Sequence, residues 1–130
     1  MFIDTSVIVS ILSREPDATE FANRIQAAGS CCTSALVVVE AAMRLSTKLG
    51  IHPVEVDKRI QALLAEAGIT LVPMDTSVAS LAVQAFADYG KGRGHPAQLN
   101  LADCLSYACA KAQGMALLYK GDDFAHTDLG

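Results

Sequence analysis

Two acidic residues interrupt segments that otherwise have the apolar pattern of buried helices. Glu40 lies in the apolar stretch 36–43, and Asp103 is the only charged residue in the stretch 99–110. An ionised carboxylate on an apolar helix face is costly unless a partner neutralises it. Both residues therefore require an explanation, which is either a local partner for each or a site that they share.

Local partners are the simpler of these explanations. Arg44 lies one helical turn after Glu40 and would form an ordinary surface ion pair with it. Asn100 or Ser106 would hydrogen-bond Asp103 within its own helix. The sequence alone leaves both of these alternatives open.

Two further acidic positions follow predicted strands. Asp4 comes directly after the first apolar run, and Asp122 and Asp123 follow the last one. Aspartate at such a position often caps the next helix, which is the structural alternative here. In a parallel sheet, however, ligands bind just beyond the carboxyl ends of the strands. We therefore expect these carboxylates at the ligand-binding edge of the sheet.

A single site would account for all four acids if they converge, namely Asp4, Glu40, Asp103 and Asp122. Their mutual repulsion would raise their pKa values unless divalent cations neutralise them. A cluster of carboxylate oxygens suits Mg²⁺ or Mn²⁺ rather than zinc, and such ions support phosphodiester hydrolysis. Two alternatives remain: another Mg²⁺-dependent phosphate-ester hydrolase, or a non-catalytic oligomerising binding module in which the acids only cap helices.

The elements that would position these residues alternate along the chain. Short apolar runs predict strands at 1–3, 30–33, 69–73 and 116–119, and we expect the third of these to be buried. Helical patterns run from about 7 to 15, 17–28, 34–49, 53–67, 75–89 and 99–113. Strands separated by helices imply parallel pairing through right-handed crossovers. The sequence thus predicts an α/β fold with a small parallel sheet between helix layers.

Composition limits the class of protein. The 130 residues fit one domain spanning 1–130, and the formal net charge of −4 argues against nucleic-acid binding through positive charge alone. A hydrophobic fraction of 52% with only 18% charged residues suggests a surface kept for a partner. No apolar run is long enough to cross a membrane, so we expect a cytoplasmic protein. The four cysteines match no zinc pattern and are expected to be buried and reduced.

The segments around the acids resemble those of the PIN-domain ribonucleases, and most closely the VapC toxins of bacterial toxin–antitoxin pairs. The resemblance rests on Met-Phe-Ile-Asp-Thr-Ser at 1–6 and on the surroundings of Glu40 and Asp103. The stretch 117–128, with Lys-Gly-Asp-Asp-Phe, is its most specific part. It implies a three-layer α/β/α sandwich and a Mg²⁺- or Mn²⁺-dependent endoribonuclease. It further implies a homodimer and inhibition by a cognate VapB-type antitoxin, with a basic side chain entering the acidic pocket.

By position, the resemblance assigns the catalytic and metal-binding acids to Asp4, Glu40, Asp103 and Asp122. The principal ion would lie between Asp4 and Asp103. Asp122 is preferred to Asp123 because it is nearer to the end of the strand, which leaves Asp123 as a cap or a supporting group. Thr5 or Ser6 would orient a metal ligand or its water.

Basic and apolar surfaces complete the expected binding functions. Lys91 and Arg93, in a glycine-rich loop, are the predicted phosphate contacts for RNA, although a solvated turn would look the same. Arg14 and Lys120 are weaker predictions of the same kind. The helix faces around 18–21 and 56–60 are expected to contact the antitoxin or a second copy, through Ala18, Phe21, Val56 and Ile60.

Overall fold

The structure is a computed structural model that describes residues 1–130, and it consists of four short parallel strands flanked by six helices. The chain order is β1 (Phe2–Ile3), α1 (Thr5–Leu12), α2 (Ala18–Ala27), β2 (Cys31–Thr33), α3 (Ala35–Leu49), α4 (Pro53–Ala67), β3 (Ile69–Leu71), α5 (Thr76–Tyr89), α6 (Leu101–Gln113) and β4 (Leu117–Leu118). Each predicted strand and helix is present. The predicted α/β fold with a small parallel sheet is therefore confirmed.

The sheet has the strand order β3-β2-β1-β4, with every pair parallel. Phe2 of β1 pairs with Cys32 on one side and with Leu117 on the other. The two residues of β1 are completely buried, as expected for a central strand covered on both faces. Because all strands run in the same direction, the residues that follow β1 and β4 meet at one edge of the sheet.

Helix ends follow local capping chemistry that the sequence displays. The Ser34 side chain accepts a hydrogen bond from the backbone N–H of Val37 at 3.2 Å, at the start of α3. The Asp75 carboxylate accepts from the Val78 N–H at 3.1 Å and caps α5. Such side chains satisfy backbone donors that the first helical turn leaves free. The start of α3 is thereby fixed, and Glu40 lies on its second turn.

One prediction of burial and one prediction of a helix boundary were wrong. Strand β3 was expected to be buried, but it is an edge strand, and Leu71 is 50% exposed. The helix expected from 99 begins only at Leu101, because Asn100 is its N-cap and Leu99 forms an isolated parallel bridge with Gly90. A short apolar run does not reveal whether its strand lies at the centre or the edge of a sheet.

The prediction that the apolar faces of α2 and α4 bind a partner was also wrong, because these faces belong to the core. Phe21, Val56 and Ile60 are between 1% and 6% exposed, and Ala18 is half-buried. The large apolar side chains that reach the surface lie mainly on α3, α5 and the start of α6, and include Val39, Met43, Val83, Phe86 and Leu101. An apolar stripe on a helix indicates burial, and it does not say whether the covering surface belongs to the same chain.

The cysteines and the hydropathy of the helices agree with what the sequence predicts. All four cysteines are buried and free, as predicted. None of the six helices combines the length and the apolar character that crossing a membrane requires.

Candidate active site

Asp4 leaves the end of β1 and caps α1, with only 7% of its surface exposed. Its Oδ2 accepts hydrogen bonds from the Ser6 N–H at 3.1 Å and from the Ser6 hydroxyl at 2.6 Å. The Ser6 hydroxyl oxygen in turn accepts from the backbone N–H of Lys120 at 2.9 Å. Ser6 therefore joins the ends of β1 and β4. Burial raises the pKa of the Asp4 carboxyl, and the bonds from Ser6 partly offset that effect.

Thr5 contributes a buried hydroxyl that has no partner. Its Oγ1 is the only buried side-chain oxygen or nitrogen in the structure without a hydrogen bond, and the residue is 1% exposed. A buried hydroxyl without a partner costs about 1–3 kcal/mol. This hydroxyl belongs to the residue directly after Asp4, at the start of α1.

Asp103 lies in the first turn of α6 and is 9% exposed. Its carboxylate accepts from the Asn100 N–H at 3.1 Å, while the Asn100 side chain accepts from the Asp103 N–H at 2.9 Å. This capping box is the local explanation that the sequence left open. Burial is nevertheless the main cause that raises the pKa of Asp103 from 3.8 to about 7, and the charges of three other acids contribute to that rise. Asp103 is thus both a cap and a member of an acidic cluster.

Glu40 is half-buried on α3 and forms no ion pair, so the pairing with Arg44 does not occur. It makes none of the side-chain hydrogen bonds of the structure either. Its charge helps to raise the pKa of both Asp4 and Asp103. Glu40 is therefore a carboxylate that faces the other acids without any local structural role.

Asp122 and Asp123 are the two candidates for the fourth acid. The charge of Asp123, like those of Asp4 and Glu40, contributes to the raised pKa of Asp103. Both residues are exposed, and the Asp122 carbonyl accepts from the Ala125 N–H in a turn. Gly121 adopts a left-handed conformation with φ of 94°, so the chain turns before these residues. Asp123 is therefore a second candidate for the fourth acid beside Asp122, which is closer to the strand in sequence.

The basic residues have contrasting surroundings. Lys91 and Arg93 are exposed and form no ion pair, and the Arg93 guanidinium lies 5.5 Å from the centre of the Phe86 ring. Lys120 is held by Glu15 and Asp17, so its charge is already neutralised. Arg14 is exposed, with a left-handed φ of 54°. The loop containing Lys91 and Arg93 thus has the more available positive charge.

The donor set suits a hard divalent cation in chemistry. It consists of carboxylate oxygens only, which Mg²⁺ and Mn²⁺ prefer. As they stand, no three acidic, histidine or cysteine side chains lie close enough together to hold an ion. Asp4 and Asp103 are engaged in bonds at helix starts, whereas Glu40 and Asp123 form no side-chain hydrogen bond. Metal binding would therefore require these carboxylates to move closer together.

Comparison with known proteins gives the family context. The PIN domain family profile matches residues 1–129. The chain is 43% identical over 145 residues to a VapC ribonuclease of Rhizobium meliloti, with 99% of both chains covered. It is 39% identical over 129 residues to ribonuclease VapC42 of Mycobacterium tuberculosis, covering 99% of this chain and 96% of the relative.

Two solved structures share the fold. A toxin–antitoxin complex from Klebsiella pneumoniae superimposes with a TM-score of 0.74 at 16% identity, covering 98% of this chain and 92% of that chain. Mycobacterium tuberculosis VapC20, described as a sarcin-ricin loop cleaving toxin, gives 0.76 at 15% identity, with coverage of 98% and 94%. At such identities the likeness establishes the fold alone.

The raised pKa of Asp103 predicts how stability depends on pH without metal. Folded Asp103 keeps its proton between about pH 3.8 and 7, where the unfolded chain has lost it. This contribution to stability is complete at low pH and is lost as the pH rises through about 7, with a slope of at most about 1.4 kcal/mol per pH unit. Urea unfolding in chelator, from pH 4 to 8, measures it.

The variant Asp103→Asn should flatten this pH dependence, whereas Glu66→Gln, an exposed substitution on α4, should leave it unchanged. The same slope in wild type and Asp103→Asn would contradict the assignment.

Proposed function

The chain belongs to the PIN-domain family, and on that premise we propose that it is a Mg²⁺- or Mn²⁺-dependent endoribonuclease that acts as the toxin of a toxin–antitoxin pair. The observation that carries the proposal is Asp103, a buried carboxylate whose pKa is raised to about 7 mainly by burial and in part by the charges of three other acids. Nearly full-length similarity to proteins named VapC ribonucleases supports the reaction class. The RNA substrate lies in the cytoplasm, where we place the protein.

The four acids would have different roles, according to how firmly each side chain is held. Asp4 and Asp103, buried and held at helix starts, would hold the cation, while Glu40 and Asp123 would complete the site and orient the attacking water. A bound Mg²⁺ or Mn²⁺ supplies charge stabilisation and a more acidic water. Ser6 fixes the Asp4 carboxylate through two hydrogen bonds. The unpartnered Thr5 hydroxyl would bond a ligand water.

The alternative functions account for fewer of these features. A non-catalytic module explains Asp4 and Asp103 as helix caps, but it gives no reason for Glu40, which caps nothing and pairs with nothing. Another Mg²⁺-dependent phosphate-ester hydrolase would use the same acids. Relative rates on RNA, DNA and a small phosphate monoester separate that possibility, since only a ribonuclease should strongly prefer RNA.

We expect purified chain to cleave RNA with Mg²⁺ or Mn²⁺ and to lose this activity in chelator. Asp103→Asn and Asp123→Asn should each lower kcat by at least about 100-fold, because outer groups of metal sites alone reach that effect. Asp122→Asn is the matched control and should retain most of the activity. Gel analysis of a pool of structured RNAs provides the measurement.

Each alternative outcome has a distinct meaning. Loss of activity in Asp122→Asn with retention in Asp123→Asn would restore the sequence-based choice of the fourth acid. Cleavage that persists in both chelator and Asp103→Asn would exclude the proposed site.

Lys91 and Arg93 are the proposed RNA contacts, because both are exposed and free of ion pairs. In an Asp103→Asn background, replacing both with alanine should weaken RNA binding. It should also reduce the slope of log K against log salt by about 0.7 for each lost phosphate contact with a single strand. The control replaces Lys58 and Arg59, exposed on α4, with alanine. Equal salt slopes in the two double variants would exclude this contact.

A VapB-type antitoxin is the proposed protein partner. One structural neighbour is a toxin–antitoxin complex, which supports a partner of this kind. An acidic site attracts cations of either kind, so a basic antitoxin side chain would compete with the metal. Raising the Mn²⁺ concentration should therefore relieve inhibition by the antitoxin, and a titration at fixed antitoxin concentration would test this.

A homodimer is proposed through the groove between α5 and α6. Val83 and Leu101 are 69% and 77% exposed there, and the groove has a volume of about 560 Å³ with a mostly apolar lining. Exposed apolar surfaces of this kind usually bind a protein. Val83→Glu should convert the dimer into monomer, while Leu71→Glu at the sheet edge should not. Light scattering distinguishes these states, and a monomeric wild type would contradict the proposal.

A further inference from the structure

The C-terminal segment is fixed to α6 by three side chains that we call the C-terminal clamp: Tyr107, Lys111 and Asp128. The Tyr107 hydroxyl donates to Asp128 Oδ1 at 2.5 Å, and Lys111 Nζ lies 2.6 Å from Asp128 Oδ2. Lys111 Nζ also lies 5.8 Å from the centre of the Tyr107 ring. Lys111 and Tyr107 together lower the pKa of Asp128, which keeps its carboxylate ionised. One carboxylate thus satisfies two donors of the same helix.

The clamp lies on the helix face that bears Asp103. Residues four apart lie one above another on an α-helix, so Asp103, Tyr107 and Lys111 form one row along α6. Tyr107 is 7% exposed, and its ring packs against Tyr89 of α5 with the ring centres 5.7 Å apart. Tyr107 is therefore held in the interior, whereas Lys111 and Asp128 lie at the surface, and only Asp128 belongs to the C-terminal segment.

The segment between β4 and the clamp contains Asp123 and has no helix or strand of its own. Phe124 anchors it, being 1% exposed and packed edge-on against Tyr119 at 5.3 Å. Turns then carry the chain to Asp128, with the Thr127 N–H donating to the Phe124 carbonyl at 3.0 Å. Asp123 itself forms no side-chain hydrogen bond. Its position is therefore set by its neighbours in this segment.

We propose that the C-terminal clamp positions Asp123 beside Asp103 and thereby sets the affinity of the acidic site for a divalent cation, an inference that rests on the proposed function. Tyr107 and Lys111 of the clamp belong to the same helix as Asp103. By holding Asp128, they fix the segment that contains Asp123 relative to the Asp103 carboxylate, with which Asp123 would share an ion. Tyr107, Lys111 and Asp128 act as positioning residues and do not touch the ion.

The test measures Mn²⁺ binding to the full chain by calorimetry, with Mn²⁺ alone as the probe. Tyr107→Phe removes one hydroxyl and keeps the buried ring, and Asp128→Asn removes the charge that attracts Lys111. Each should weaken Mn²⁺ binding by about 10-fold, the low end for groups that orient metal ligands. The double variant should bind Mn²⁺ with about the affinity of the weaker-binding single variant, because both substitutions act through one contact.

A stability control separates positioning from general loosening. Asp75→Ala removes the cap of α5, lowers the melting temperature and leaves the clamp intact, so it should bind Mn²⁺ as wild type does. Wild-type affinity in both clamp variants would overturn the inference alone. Equal weakening in Asp75→Ala would also overturn it, since stability would then be the cause. A wild-type chain that binds no Mn²⁺ would overturn the proposed function together with the clamp.

Discussion

Four carboxylates of like charge share the carboxyl edge of the sheet, and the structure around them has to offset their mutual repulsion and the desolvation of two of them. Backbone N–H groups at helix starts provide part of this stabilisation. Asp4 and Asp103 each lie at the N-terminal end of a helix, where the helix dipole and free amides favour negative charge. The remaining repulsion is what a divalent cation would remove.

The ends of the strands are joined so that this edge stays in place. Ser6 bonds Asp4 and receives the backbone N–H of Lys120, which links β1 to the residue after β4. The Lys120 side chain bridges Glu15 and Asp17 in the loop between α1 and α2, and Lys48 from the end of α3 also binds Glu15 at 2.7 Å. These exposed ion pairs contribute little stability individually. As a network, they connect the segments around the acidic edge.

The family assignment gives the class of reaction, and the structure gives the surroundings of individual residues. The match of a PIN domain profile to residues 1–129 and the nearly full-length relatives identify the reaction class. The structure adds that the charge of Asp123 contributes to the raised pKa of Asp103. It also distinguishes Lys120, which is already paired, from Lys91 and Arg93, which form no ion pair.

The sequence by itself predicted the element order, the caps at Ser34 and Asp75 and a set of candidate acids, because those features depend on spacing within one segment. Ser34, Asp75 and the apolar surroundings of Glu40 and Asp103 can all be read from neighbours a few positions away. Only the tertiary structure decided that β3 is an edge strand, that Phe21 and Ile60 are core residues, and that the charge of Asp123 contributes to the raised pKa of Asp103. These outcomes depend on which segments pack together and on how the chain turns at Gly121, so they involve contacts between residues far apart in sequence. Local pattern contains no information about such contacts.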